Sequence, residues 1–267
     1  MSLTVGRAPL ARPPAGQFNF NVAAPERVLY FEDSPRRVRV VFGSETIADS
    51  RRVKLLHETG RTPVYYFPVA DVRRDLLRAS GQATPSVHKG TEVRSSVSVR
   101  DRTAENAAWT YTDVPNDAGF LAGYYGFQWD AMDAWYEEDE QVFVHARDPY
   151  HRVDIRDSSR HVRVFVEGEL VADSHRPKLV FETGLPTRYY LPGEDVRSDL
   201  LEHSERHTGC PYKGTASYYS VRTPKRVVRD IAWYYPDPYA EASSIQDLVA
   251  FYNERVELEV DGQRGVS

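Results

Sequence analysis

Val38, Val40 and Phe42 alternate with Arg37, Arg39 and Val41, and residues 161–166 alternate in nearly the same way. Period-two alternation predicts strands with one face toward a core and one toward water. Gly43-Ser44 and Glu167-Gly168 follow these runs, where hairpin turns belong. Residues 64–67 and 188–191 read as short aromatic strands ended by Pro68 and Pro192, and 92–100 and 216–222 alternate again. One short helix per half is expected to start at Asp71 and at Asp195, each an N-cap, with Val72, Leu76 and Leu77 as the apolar face in the first half. Residues 129–136 have helical spacing around Met132 and Trp135, and 141–145 reads as a strand expected to complete a sheet of the second half. The pattern predicts an all-β protein with short helices.

The halves are copies. Residues 38–91 align without a gap to 162–215 and share 27 of 54 positions. Unrelated sequences of average composition agree at about 6%. The match continues through Trp109, Tyr111 and Asp113, which pair with Trp233, Tyr235 and Asp237. A repeat this long predicts two tandem domains rather than a solenoid. The expected organisation is an extended arm over 1–27, a first domain over 28–126, a linker over 127–144 and a second domain over 145–267. The linker carries a short helix and the acidic run Glu137–Glu140, read as a solvated face.

Composition narrows the function. The chain has 267 residues, 34 Lys and Arg against 39 Asp and Glu, and a net charge of -5. Such a balance argues against nucleic-acid binding by the whole surface. No run is apolar enough to span a bilayer, and Pro14 and Gly16 stand where a secretory signal needs apolar residues. The expected address is the cytoplasm. One cysteine excludes an intrachain disulfide and a zinc site built mainly from thiolates of one chain. His203 and His207 have i,i+4 spacing, but the expected helix ends near Ser204 and no His-Glu-x-x-His string is present. No metal, no cofactor and metal-independent folding are expected. The duplication itself supplies two homologous surfaces, so a monomer with internal pseudo-two-fold symmetry is expected.

Thr208-Gly209-Cys210-Pro211-Tyr212-Lys213-Gly214, Ser217-Tyr218-Tyr219 and Ala232-Trp233-Tyr234-Tyr235-Pro236 form a distinctive series, joined by Tyr150-His151-Arg152-Val153-Asp154 and Glu182-Thr183-Gly184-Leu185-Pro186. The series resembles a bacterial family catalogued as domain of unknown function 427, and the resemblance covers most of 28–260. It implies two tandem β-tent-like domains, each of two antiparallel sheets leaning together along one edge. That fold is shared by zinc-bound modules, methionine sulfoxide reductases and the thalidomide-binding domain of cereblon. The family also carries a nucleotidyltransferase label, although no phosphate-cradling glycine loop or paired-aspartate motif is found here. The first copy departs from the pattern, with Ser86-Val87 where the second has Cys210-Pro211.

The candidate residues are the polar groups present in both copies. They are Asp49, Ser50, Glu58, Tyr65, Tyr66 and Lys89, with Asp173, Ser174, Glu182, Tyr189, Tyr190 and Lys213. Trp109 and Trp233 are candidate apolar walls, and Cys210, near Lys213, is a candidate thiolate. One reading has carboxylate, lysine and tyrosine lining a cleft for a small polar or anionic ligand. A second is a thiol- or carboxylate-based enzyme or a nucleotidyltransferase. A third is a scaffold, in which the same groups close on one another as buried hydrogen-bond pairs. If there is a site, it is expected in the second domain, where Lys213, Glu182 and Asp173-Ser174 would meet at one rim.

Overall fold

The computed structural model describes residues 2–6, 8–12, 14, 16–21 and 25–265. The part of the expected N-terminal arm at 1, 7, 13, 15 and 22–24 therefore lies outside the described residues. The chain divides into two units that meet at Asp148 and Pro149, and residues 8–12 of the arm group with the second.

The first unit contains β1 (Leu29–Asp33), β2 (Val38–Phe42), β3 (Glu45–Ser50), β4 (Lys54–Glu58), β5 (Val64–Pro68), β6 (Leu77–Ser86), β7 (Gly90–Val99), β8 (Arg102–Thr112), β9 (Tyr124–Phe127), β10 (Ala134–Glu137) and β11 (Glu140–Val142). They form a seven-stranded antiparallel sheet, β1-β4-β5-β9-β8-β7-β6, and a four-stranded one, β11-β10-β2-β3. The second unit repeats this with β12 (Val153–Asp157), β13 (Val162–Val166), β14 (Glu169–Ser174), β15 (Lys178–Glu182), β16 (Arg188–Leu191), β17 (Leu201–Cys210), β18 (Gly214–Arg222), β19 (Val227–Tyr234), β20 (Val249–Phe251), β21 (Glu257–Val260) and β22 (Gln263–Arg264). Its sheets run β12-β15-β16-β20-β19-β18-β17 and β14-β13-β21-β22. Each unit is thus two antiparallel sheets. Among the described residues no helix is long and apolar enough to cross a membrane.

The alternation seen in sequence sorts side chains into two cores per unit. In the first, Val38, Val40 and Phe42 of the small sheet pack against Leu55, Tyr65 and Phe67 of the large one. The intervening Leu56 and Tyr66 point the other way, into a second cluster with Tyr111, Ala118 and Leu121. A short 3₁₀ segment, Asn116–Leu121, supplies the last two and covers the outer face of the large sheet. In the second unit Tyr189 faces the inner core and Tyr190 the outer one, the latter covered by Ala240–Ile245. Burial of each such large side chain contributes about 1.5–3 kcal/mol. The outer cluster is what places the twice-retained Tyr, Trp, Glu and Lys residues together.

Three helical expectations are corrected. Asp71 does not cap a helix: it closes a 3₁₀ turn, Val69–Asp71, and Val72 bridges to Ala48. The reason is a competing tie, since the Ser50 hydroxyl donates to Asp71 Oδ2 at 2.6 Å and Arg52 to Oδ1 at 2.7 Å. Asp195 does the same with Ser174 at 2.7 Å. Only Trp129–Ala131 is helical in the expected helix over 129–136, because Ala134–Glu137 pairs with β2 and the Trp129 and Trp135 rings stack at 4.4 Å. His203 and His207 lie in β17, not on a helix, with a register irregularity between Ser204 and His207. The segment expected as a linker supplies β10 and β11 of the first unit's small sheet, so the strand near 141 completes that sheet and not the second domain's. Glu137 of the acidic run is also not merely solvated, since it accepts from Tyr65 and pairs with Arg36 at 3.1 Å.

Candidate functional site

Glu58 ends β4 on the outer face of the large sheet, and Lys89 sits in the turn between β6 and β7. Their ion pair is buried, with Lys89 Nζ donating to Glu58 Oε2 at 2.9 Å. The other carboxylate oxygen accepts from Arg27 Nη1 at 2.6 Å. Lys89 Nζ lies 5.3 Å from the Tyr111 ring centre, a cation–π contact. Behind them the Trp109 indole donates to Tyr66 Oη at 3.0 Å, and Tyr111 donates to Glu92 at 3.0 Å. Burial pushes the Tyr66 phenol up to about 12, so it remains a neutral hydroxyl at ordinary pH.

The glycine after each lysine makes this turn possible. Gly90 has φ +83°, and a Cβ there would lie 2.4 Å from the Thr112 carbonyl oxygen. Gly214 has φ +102°, with the nearest atom, the Asp237 carbonyl oxygen, 3.1 Å away. Gly90→Ala is therefore expected to destabilise the first domain by about 2 kcal/mol or more, and Gly214→Ala by less. Urea denaturation of both variants checks this; equal effects would refute the contact argument.

The second domain keeps the pair and changes its surroundings. Lys213 donates to Glu182, and both side chains are buried. His151 takes the place of Arg27, with Nε2 2.9 Å from Glu182 Oε1. Burial alone would raise the Glu182 carboxyl, but the His151 hydrogen bond and the Lys213 charge hold it below its ordinary 4.5. It stays ionised and is not poised as a general acid. Trp233 donates to Tyr190 Oη at 2.9 Å, and burial raises both Tyr190 and Tyr235 well above the ordinary phenol range. Cys210 is half-buried against this aromatic cluster. His151 stands in sequence only as part of the Tyr150–Asp154 string and Arg27 in no motif, so neither is a candidate site residue there; their offset of 124, the same as that of the other paired positions, is the available signal.

The remaining candidates lie elsewhere. Ser50 and Ser174 close turns, as described above. Asp49 is held by the Arg37 guanidinium at 2.7 Å, and Asp173 by His161 Nε2 at 2.7 Å, both on the small sheet. Ser174 ends β14 next to the start of β15, whereas Glu182 ends β15, four strand steps or about 13 Å further on. Asp173-Ser174 and Lys213-Glu182 therefore occupy opposite ends of that strand. His57, which has no histidine counterpart, is fully buried with Nε2 2.7 Å from Glu32.

Beside the Glu58–Lys89 pair a cleft of about 710 Å³ opens in the first domain. Arg27, Thr59 and His88 line it with Glu26, Asp117 and the apolar Leu29. Arg27 keeps 40% of its side chain exposed while Glu58 anchors its guanidinium. At the matching place in the second domain, His151 and Tyr212 stack at 4.2 Å and Ser2 Oγ lies 3.2 Å from His151 Nδ1.

The chain belongs to the family described as Domain of unknown function (DUF427), whose profile matches it twice, over residues 30–138 and 154–262. No curated protein matches the chain.

Proposed function

We propose that the first domain binds a small polar ligand carrying an anionic group, held in the cleft beside Glu58 and Lys89. The observation that carries this reading is the half-exposed Arg27, fixed by a buried carboxylate at the wall of a ligand-sized cleft. Pockets for small molecules have volumes of about 300–1,000 Å³ and combine apolar walls with a few placed polar groups. A guanidinium already oriented by Glu58 loses little freedom when it grips a carboxylate or phosphate. Glu26 and Asp117 would accept from hydroxyl or amine donors on the same ligand, and the Thr59 hydroxyl and His88 add further polar contacts. The buried Glu58–Lys89 pair holds the Arg27 guanidinium in place at the cleft wall. The His151–Tyr212 stack at the matching place in the second domain favours the first domain as the site.

A thermal-shift panel on the full chain tests this, using orthophosphate, sugar phosphates, dicarboxylates, amino acids, and nucleotides with and without Mg²⁺. The nucleotide arm addresses the nucleotidyltransferase label. A member present at 100 times its Kd adds about 2.7 kcal/mol to the native state. At least one member is expected to raise the melting midpoint, and Arg27→Gln and His88→Ala are each expected to reduce that shift. A panel without a shift, or a shift unchanged in both variants, would overturn the proposal.

A further inference from the structure

We propose that His161, Asp173 and His175, on the outer face of the second domain's small sheet, form a site for a first-row transition-metal dication such as Zn²⁺. The ladder of β13 and β14 brings them together. Val162 pairs with Ser174 and Arg163 with Asp173, so one step further sets His161 across from His175. Val162, Val164 and Ser174 are buried, which turns the residues between them outward. Directly opposed and diagonal residues on one sheet face are near enough to share a ligand. The two imidazole rings lie 3.9 Å apart at an interplanar angle of 14°. His161 Nε2 is 2.7 Å from Asp173 Oδ1. One ligand atom from each residue falls within 4.8 Å of the others.

Tetrahedral Zn²⁺ with bonds near 2.0–2.1 Å sets its ligand atoms about 3.3 Å apart. Metal binding would unstack the two rings by rotation about χ1 and χ2 so that their in-plane lone pairs converge, while the backbone beneath them is fixed. The His161 N–H donates to Asp261 Oδ1 at 3.0 Å, and the Asp261 N–H donates to the His161 carbonyl at 2.8 Å. On either side of His175, Ser174 Oγ donates to Asp195 at 2.7 Å and accepts from the Arg176 N–H at 3.2 Å. On metal binding Asp173 would exchange its role as acceptor from imidazole for that of ligand. Two neutral imidazoles and one carboxylate suit Zn²⁺, Co²⁺ or Ni²⁺ and leave a coordination position open.

The duplication supplies the control. In the first domain the same positions hold Arg37, Asp49 and Arg51, and Arg37 grips Asp49 through Nε at 2.7 Å. A guanidinium has no lone pair to offer a metal. The expected stoichiometry is therefore one ion per chain. The site lies at the surface and away from both cores, so folding without metal is unaffected.

The test uses untagged full-length protein stripped of metal, titrated with Zn²⁺ against a chromogenic chelator and with Co²⁺ followed by visible absorption. One equivalent is expected to bind. His161→Arg, which installs the first domain's residue, and His175→Gln are each expected to weaken binding more than about tenfold, the low end of what loss of even a supporting group costs. Their metal-free melting midpoints should match the parent. Binding of less than one equivalent at micromolar free Zn²⁺, or undiminished affinity in both variants, would overturn the proposal.

Discussion

Lys213→Ala is expected to destabilise the second domain by about 3–5 kcal/mol, because it leaves the Glu182 carboxylate buried without its ammonium partner. Both side chains are only 7% exposed, so solvent screening does little to soften the loss. Replacing both members together, as Glu182→Leu with Lys213→Met, removes the orphaned charge and is expected to cost far less than the single change. The pair also sets a pH dependence. Glu182 has its folded pKa held below the ordinary 4.5, since the His151 hydrogen bond and the Lys213 charge outweigh burial. A depressed carboxyl contributes stability above its unfolded pKa and loses it as pH falls through the folded value. The stability difference between parent and Glu182→Leu/Lys213→Met should therefore shift against the parent below about pH 4.5. Urea denaturation at pH 7 and in the acid range measures both effects. A Lys213→Ala protein as stable as the parent would show that the buried Glu182–Lys213 pair does not hold the second domain together.

Trp233→Ala is expected to cost about 3–5 kcal/mol, the range for emptying a large aromatic site in a packed core. Trp233 is 8% exposed and packs with Tyr190, Tyr252 and Ala250 in the outer cluster of the second domain. Trp233→Phe keeps most of the ring and removes the indole N–H that donates to Tyr190, so about 1 kcal/mol is expected there. The first copy differs at the residue paired with the indole. Trp109 lies over Gly126, where a Cβ would come within 2.5 Å of the indole, whereas Trp233 pairs with Ala250. Gly126→Ala should therefore disturb Trp109, and a change in the near-ultraviolet circular dichroism of that variant is the readout. If Trp233→Ala melted like the parent, Trp233 would be a surface wall and not part of a core.

Strand alternation around Val38–Phe42 and the repeated Glu-Thr-Gly, Tyr-Tyr and Lys-Gly-Thr strings make the duplication and the mostly β character legible in sequence, whereas the two-sheet arrangement is implied only by the family resemblance. At Asp71 and 129–136 the expected helices give way to 3₁₀ turns and strands for a common reason. Three or four apolar residues at helical spacing also suit a 3₁₀ turn that leads into a strand, and sheet pairing decides between them. Ser50 and Asp71 are 21 residues apart, and their hydrogen bond is a tertiary event that local pattern cannot signal. The same holds for His161 and His175, brought face to face only by the register of β13 and β14. Lys89, Glu58 and Tyr66 stand out in sequence as polar groups present in both copies and Trp109 as an apolar wall, and the structure pairs Lys89 with Glu58 and Trp109 with Tyr66. Arg27 carries no repeat signal because its counterpart is His151, a change that preserves the bond to the glutamate and not the residue type.

The central claim is that ligand binding belongs to the cleft at Arg27, Thr59 and His88. The most direct measurement is an amide-resolved NMR titration of the labelled full chain with the thermal-shift panel. Saturable shifts at Arg27, Thr59 and His88, with Glu182 and Lys213 left still, are the predicted result. Saturable shifts centred instead on His151, Glu182 and Lys213, or no saturable shift from any panel member, would contradict it.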